Sequence, residues 1–595
     1  MSILTFDSKK LYLDGEPFYM ISGDIHYFRI YRGGIRRRLE LAKAFGLNTV
    51  QTYVPWNVHE PENGKFCFDG IFSLTEFLKE ADTLGLKVLL RPSPFICSEW
   101  DKGGLPYWLS NENLTPRSND ERYLYFVKRY YKELCKQFVP YLSTNGGPII
   151  AVAIENEYGG YAYDPDYLRA LANILTENGV NVPFYTTDGN GLAELTYGSH
   201  DDFWRGVNYS ENVEVSLSRL NSLQKDKPPF VGEFWCGRGC IHWGENFKMV
   251  PIKHVADTFK ETLEKGAYVN FYMFAGGTNY GFMNGANFGT SRFSNQRPSR
   301  YIPIITSYAD NSLLDEQGLP TEKYFACKKV LWEFLGKPEP ETPEIPAQTQ
   351  VIEPFKVKYS HNIWDIAKES KAQKSSAPLY MEQLGQAYGF CLYETELVSI
   401  GEKTNVFVQQ LRDRADIYVN DDFAGTLMRE RNLPAVTFEK EAGQKLKIKF
   451  LVENLGRINN STKNEEKKGL SEYVHFNGRR QFGWNNTPLD LGLTPTNKSP
   501  FDGKIKPSFY CGEFTADTDK DIFLDMSDWN KGVVFVNGFN LGRYWSIGPQ
   551  LTLFVPRELL KENNTITVFD LYGDFEEKEI KTTEKHSFID KETEF

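Results

Sequence analysis

The chain has 595 residues, 41% hydrophobic and 25% charged, a globular balance that excludes a disordered or fibrous protein and leaves room for about two to four domains. A formal net charge of −11 and a pI near 5.5 argue against nucleic acid or an anionic membrane surface as partner. Aromatic residues reach 15%, and their ring faces pack well on the C–H faces of sugars, so a carbohydrate partner fits the composition.

The opening stretch MSILTFDSKKLYLDGEPF lacks a basic region followed by an apolar stretch, so it does not read as a secretory leader. No apolar run approaches the ~18 residues of a membrane span. Eight cysteines in a chain of this length do not make a disulfide framework, and the expectation is a cytoplasmic protein with free thiols. Cys236, Cys240 and His242 are closely spaced but lack a fourth partner, so neither a metal nor a cofactor is expected.

Short buried-type strands then alternate with amphipathic helices. Strands are expected over 18–28, 47–56, 86–95, 148–157, 182–189, 202–210, 228–235 and 267–277. Helices are expected over 34–46, 71–85, 122–142, near 165–178, over 212–223 and over 255–266. Eight such units within residues 1–335 predict an α/β domain, a (β/α)8 TIM barrel. Polar residues gather at the strands' C-terminal ends: His26, Asn57, Glu99, Glu157, Asp188, Asn208 and Glu233. In this fold that rim carries the chemistry. A Pro- and Glu-rich linker is expected over 336–348, followed by all-β sandwich domains over 349–500 and 501–595. RADIYVNDDFAGTL (414–427) and KGVVFVNGFNLGRYW (531–545) echo each other, each with a Val-Asn-Asp/Gly hairpin signal.

AVAIENEYGG (151–160) drives an apolar run into Glu155, Asn156 and Glu157, and PPFVGEFW (228–235) ends on Glu233. Paired carboxylates cleave glycosidic bonds, one protonating the departing oxygen and the other attacking the anomeric carbon or activating water. Strands four and seven of an eight-stranded barrel lie nearly opposite, so their rim carboxylates can face one sugar. A separation of about 5–5.5 Å implies retention of configuration. Glu157, nearer the open face, is the expected acid. Asn156 can donate to a neighbouring sugar hydroxyl. Glu155 is expected to support the site through a rim base, for which Arg91 is a candidate.

The stretches LDGEPFYMISGDIHYFR, QTYVPWNVHEP, RPSPFICSEWDKGGLPYWL, GGPIIAVAIENEYG, VNFYMFAGGTNYGFMNGA and GVVFVNGFNLGRYWSIGPQLTLFVP span residues 13–556. Together they resemble the β-galactosidases of glycoside hydrolase family 35. The resemblance implies a catalytic barrel followed by galactose-binding-like (jelly-roll) β-domains and a retaining reaction. It also implies Glu157 as acid/base, Glu233 as nucleophile, and Tyr53, Ser98, Glu99, Asn156, Trp235 and Tyr272 as sugar contacts or pocket residues. Three positions depart from the family pattern. SYADN (307–311) puts Asp310 where a pocket tyrosine is usual, with Tyr308 as the candidate replacement. Arg238 stands where some members carry tryptophan, and Asn460 replaces tyrosine in GRINNS.

The expected function is release of terminal β-galactose from an oligosaccharide or glycan, with a homodimer as the candidate assembly. The alternatives are a related exo-glycosidase or transglycosylase for glucosyl or glucosaminyl ends, which Asp310 motivates, and a non-catalytic sugar-binding protein.

Overall fold

The computed structural model describes residues 3–237, 241–245, 249–289, 300–308, 312–345, 348–429 and 436–589, except the side chains of 300, 462 and 471. Eight parallel strands form the first domain: β1 (Ile21–Gly23), β2 (Thr49–Tyr53), β3 (Lys87–Arg91), β4 (Ile149–Ala153), β5 (Phe184–Gly189), β6 (Trp204–Tyr209), β7 (Phe230–Trp235) and β8 (Tyr268–Tyr272). Their spatial order is β1-β8-β7-β6-β5-β4-β3-β2. A parallel bridge between Asp24 and Gln51 joins the first and last strands, so the sheet closes into the expected barrel.

The helices form where the apolar spacing and the caps agree. Glu121–Phe138 buries Tyr123, Phe126, Val127, Tyr130, Tyr131, Leu134 and Phe138 on one face, and Asp120 caps it by accepting the amides of Arg122 and Tyr123. Pro165–Glu177 starts with proline at its first position and Asp164 as cap. Glu322–Leu335 is an additional helix that the sequence reading did not separate out. Among the described residues, no helix is long and apolar enough to cross a membrane.

Two β-sandwich domains follow. The first pairs a six-stranded sheet, which includes Phe390–Val398, Arg414–Val419 and Lys445–Glu453, with a four-stranded sheet that includes Thr404–Arg412 and Gly469–Phe476. Met381, Tyr393, Ile417, Phe450 and Trp484 lie in its core. The last domain has eight strands, and here the sheets depart from the expected division at residue 500. Strand Phe355–Asn362 lies between Lys506–Thr515 and Glu577–Thr583, so its partners come from the far end of the chain. Both echo segments are antiparallel hairpins. Their turns, Asn420–Asp421 and Asn537–Gly538, have positive φ at both central residues, as the strand twist requires.

Candidate active site

At the end of β7 the pairing register slips between Val231 and Glu233 against β6, and also slips against β8. Such a bulge re-aims a side chain. Glu233 is 6% exposed. Its Oε1 accepts from Tyr53 Oη at 2.6 Å and Arg91 Nη1 at 3.1 Å, and its Oε2 accepts from Trp235 Nε1 at 3.1 Å. Beneath it Asp24 accepts from Gln51 Nε2 and from Asn270 Nδ2, and the latter nitrogen also donates to Gly232 O at 3.0 Å. Burial pushes the Asp24 carboxyl up to about 8, against the pull of Arg91 and with the help of Glu233.

Strand β4 stops at Ala153 rather than running on to Glu157, and both glutamates stand on left-handed residues, Glu155 at φ 61° and Glu157 at φ 45°. Left-handed backbone at a non-glycine residue is costly and persists where the surroundings hold it. Glu155 is 1% exposed and takes Arg117 Nε (3.1 Å), Arg117 Nη2 (2.9 Å), Tyr167 Oη (2.9 Å) and the Asn156 amide (2.7 Å). The expected Arg91 partner is therefore corrected to Arg117. Arg91 instead bridges Glu233 and Asn156 Oδ1, the latter at 2.5 Å, with its guanidinium 4.2 Å from the centre of the Tyr53 ring. Glu157 is half-buried and accepts from Asn208 Nδ2 at 3.0 Å. Asn208 lies in backbone register with Glu233 on the neighbouring strand.

A third wall is the run Cys97, Ser98 and Glu99, three consecutive left-handed residues. Glu99 accepts from Tyr308 Oη at 2.5 Å, and Tyr308 Oη meets Tyr272 Oη at 2.7 Å. Burial pushes the Glu99 carboxyl up, while Tyr308 and Arg29 pull it down. Arg29 lies 3.7 Å from the Tyr308 ring centre, donates to Ser98 O, and places Nη1 2.6 Å from His26 Nδ1. Burial holds His26 far below its usual range, so the ring is neutral and Nδ1 is the acceptor. Ser98 Oγ is buried without a partner among the described residues.

The site thus brings together Tyr53, Ser98, Glu99, Asn156, Glu157, Glu233, Trp235 and Tyr272. Arg238, Asp310 and Cys240 lie outside the described residues. Cys236 is buried and its Sγ donates to Tyr272 O and Met273 O. Asn57 supports the wall by accepting from Trp100 Nε1 at 3.0 Å. Sequence reasoning missed Arg29 and the bridging role of Arg91. For Arg29 the signal was its place three residues after rim residue His26. The first β-sandwich domain reaches the same wall. Arg457 pairs with Asp101 (3.3 Å) and Glu382 (2.7 Å), and Asn459 Nδ2 donates to Cys97 Sγ at 3.4 Å. Asn460 Oδ1 accepts the Phe288 amide.

One buried arginine, one tyrosine and one indole thus donate to Glu233, and an amide donates to Glu157. A family model described as "Glycosyl hydrolases family 35" matches residues 10–334. "Beta-galactosidase, first all-beta domain" matches 378–490, and "Beta-galactosidase, galactose-binding domain" matches 507–565. A "Beta-galactosidase" of Xanthomonas manihotis is 38% identical over 91% of this chain and 89% of its own length. "Beta-galactosidase 17" of Arabidopsis thaliana is 33% identical over 98% of this chain and 90% of its own. A "Beta-galactosidase" of Mus musculus is 37% identical over 96% and 91%.

Proposed function

The chain belongs to glycosyl hydrolases family 35 and is a glycosidase, and from that premise we propose that it is a retaining exo-β-galactosidase. Glu233 attacks the anomeric carbon while the bond to the leaving oxygen breaks, and Glu157 gives that oxygen its proton. Water then loses a proton to Glu157, attacks the same carbon, and frees the sugar and the Glu233 carboxylate. The observation that supports this reading is that Glu233 lies on β7 and Glu157 in the turn after β4, with Asn208 of the intervening β6 donating to Glu157 from the position in backbone register with Glu233. Tyr53, Arg91 and Trp235 donate to Glu233 and aim it. Arg91 also fixes the oxygen of Asn156, which turns its NH2 toward a sugar hydroxyl. Glu99, backed by Tyr308, is the acceptor for another hydroxyl, and Tyr272 and Ser98 complete the pocket. The β-galactosyl preference rests on the relatives, which bear the name β-galactosidase.

A second reading, a β-glucosyl or glucosaminyl enzyme or a transglycosylase, is favoured by one observation: Asp310 stands in SYADN where a tyrosine is usual in the family.

Two experiments test the roles. A 2-deoxy-2-fluoro-β-galactosyl fluoride is expected to label the peptide bearing Glu233, because fluorine slows release of the covalent intermediate. Glu157→Gln is expected to lower kcat/KM for a disaccharide about 100-fold or more and far less for a dinitrophenyl glycoside, which needs no protonation. A label on Glu155, or equal losses on both substrates, would overturn the assignments.

A further inference from the structure

Asp188 is the penultimate residue of β5 and is 1% exposed, yet the mechanism does not use it. Its Oδ1 accepts the amide of Gly159 at 2.8 Å. The neighbouring Thr187 O accepts the amide of Glu157 itself at 3.1 Å. The end of β5 therefore grips the turn that carries Glu157 at two points, one at Glu157 and one two residues beyond it. That turn is left-handed at Glu157, with φ 45° and ψ 42°, so it needs such holding. From the other side, Gly198 closes the short helix Leu192–Tyr197 directly against the carboxylate. A Cβ on Gly198 would lie 2.1 Å from both Asp188 oxygens. The acids that face Asp188 are Glu157 and Glu155 from the turn after β4 and Glu194 from that short helix.

We propose that Asp188 is the positioning residue of the acid/base: by accepting the Gly159 amide it fixes the left-handed turn that presents Glu157 to the glycosidic oxygen. The proposal rests on the reading of Glu157 as the proton donor. Burial, with the three glutamates nearby, pushes the Asp188 carboxyl up to about 8, opposed by the Gly159 amide. At pH 6–7 the group is accordingly a neutral acid. It offers an acceptor oxygen without placing a second negative charge beside Glu157. Asparagine can make the same hydrogen bond, and leucine cannot.

The test compares kcat/KM at pH 6.5 for a galactosyl disaccharide and for dinitrophenyl β-galactoside in wild type, Asp188→Leu, Asp188→Asn, Gly198→Ala and Glu157→Gln. Gly198 is buried and has φ −86°, which alanine adopts freely, so Gly198→Ala leaves Asp188 in the chain and acts by displacing its carboxyl group. Asp188→Leu and Gly198→Ala are expected to lose about 10- to 100-fold on the disaccharide and under about 3-fold on the aryl substrate. Asp188→Asn is expected to recover most of the disaccharide rate. Equal losses on the two substrates in Gly198→Ala, or an Asp188→Asn no better than Asp188→Leu, would overturn the proposal while Glu157→Gln still discriminates between substrates. A Glu157→Gln without that discrimination would overturn both this proposal and the assignment of the acid/base.

Discussion

Glu155→Gln separates the buried glutamate of the pair from the reactive one. The substitution keeps the size of the side chain and removes its charge and one acceptor. Four donors converge on the carboxylate, two from Arg117 and one each from Tyr167 and the Asn156 amide. A glutamine carries one acceptor oxygen, so some of these donors then face its NH2. Arg117 is 3% exposed and lies 3.7 Å from the Phe95 ring centre and 4.1 Å from that of Tyr161, so it cannot swing into water. Breaking a buried pair by removing one partner costs about 3–5 kcal/mol. Arg117 keeps its bond to Asn156 O at 2.9 Å and both ring contacts, which places the loss near about 3 kcal/mol. A barrel-sized unit of about 335 residues gains roughly 0.7 kcal/mol per kelvin of unfolding entropy, so its melting temperature falls by about 4 °C. Differential scanning calorimetry of wild type, Glu155→Gln and Glu157→Gln reads this directly, with no fall in melting temperature expected for the half-buried Glu157. A Glu155→Gln barrel that melts within about 1 °C of wild type would refute the reasoning.

Tyr53→Phe removes a 2.6 Å hydrogen bond to the Glu233 carboxylate, worth about 1.5–3 kcal/mol, so kcat/KM should fall about 10- to 100-fold; a change under about 2-fold would remove Tyr53 from the machinery. Asp24 keeps its proton to about pH 8 in the folded chain but releases it near pH 4 when unfolded, so its ionisation weakens the fold progressively as pH rises through that window. The melting temperature of Asp24→Asn relative to wild type should therefore climb from pH 5 to pH 8, and parallel curves would contradict it. Tyr308→Phe should raise KM for galactosides, because Glu99 loses the donor that orients it; an unchanged KM would place Glu99 away from the sugar. Asp310→Asn should alter the ranking across a panel of nitrophenyl β-glycosides, and an unchanged ranking would dispose of the second reading.

The barrel was legible because strands such as IIAVA (149–153) are buried on both faces and read as unbroken apolar runs. The helices were legible from spacing and caps. Glu233 and Glu157 stood out because each follows such a run at the rim. The choice of base for Glu155 was not legible. Arg91 and Arg117 are both buried bases near the rim, and only the fold decides that Arg91 ends β3 facing Glu233 while Arg117 packs between Phe95 and Tyr161. The left-handed run 97–99 was hidden as well, since Cys, Ser and Glu carry no glycine-like signal for that conformation. The partners of Phe355–Asn362 were hidden for a similar reason: alternation marks a strand but does not name its neighbours.

That strand has a consequence for how the protein is made. It leaves the ribosome about 150 residues before Lys506–Thr515 and still longer before Glu577–Thr583, the two strands that flank it. At about 5–20 residues per second it waits some 10–30 s or more for the first of them. In that interval the whole first β-sandwich domain emerges, and its strands can pair among themselves because its sheets contain none from outside 373–489. The inner domain can thus fold as a looped-out unit while the outer one stands open, its early strand showing unpaired amides and carbonyls to any passing chain. A ribosome stalled before residue 577 would hold that edge exposed, which makes emergence of Glu577–Thr583 the step on which escape from aggregation depends.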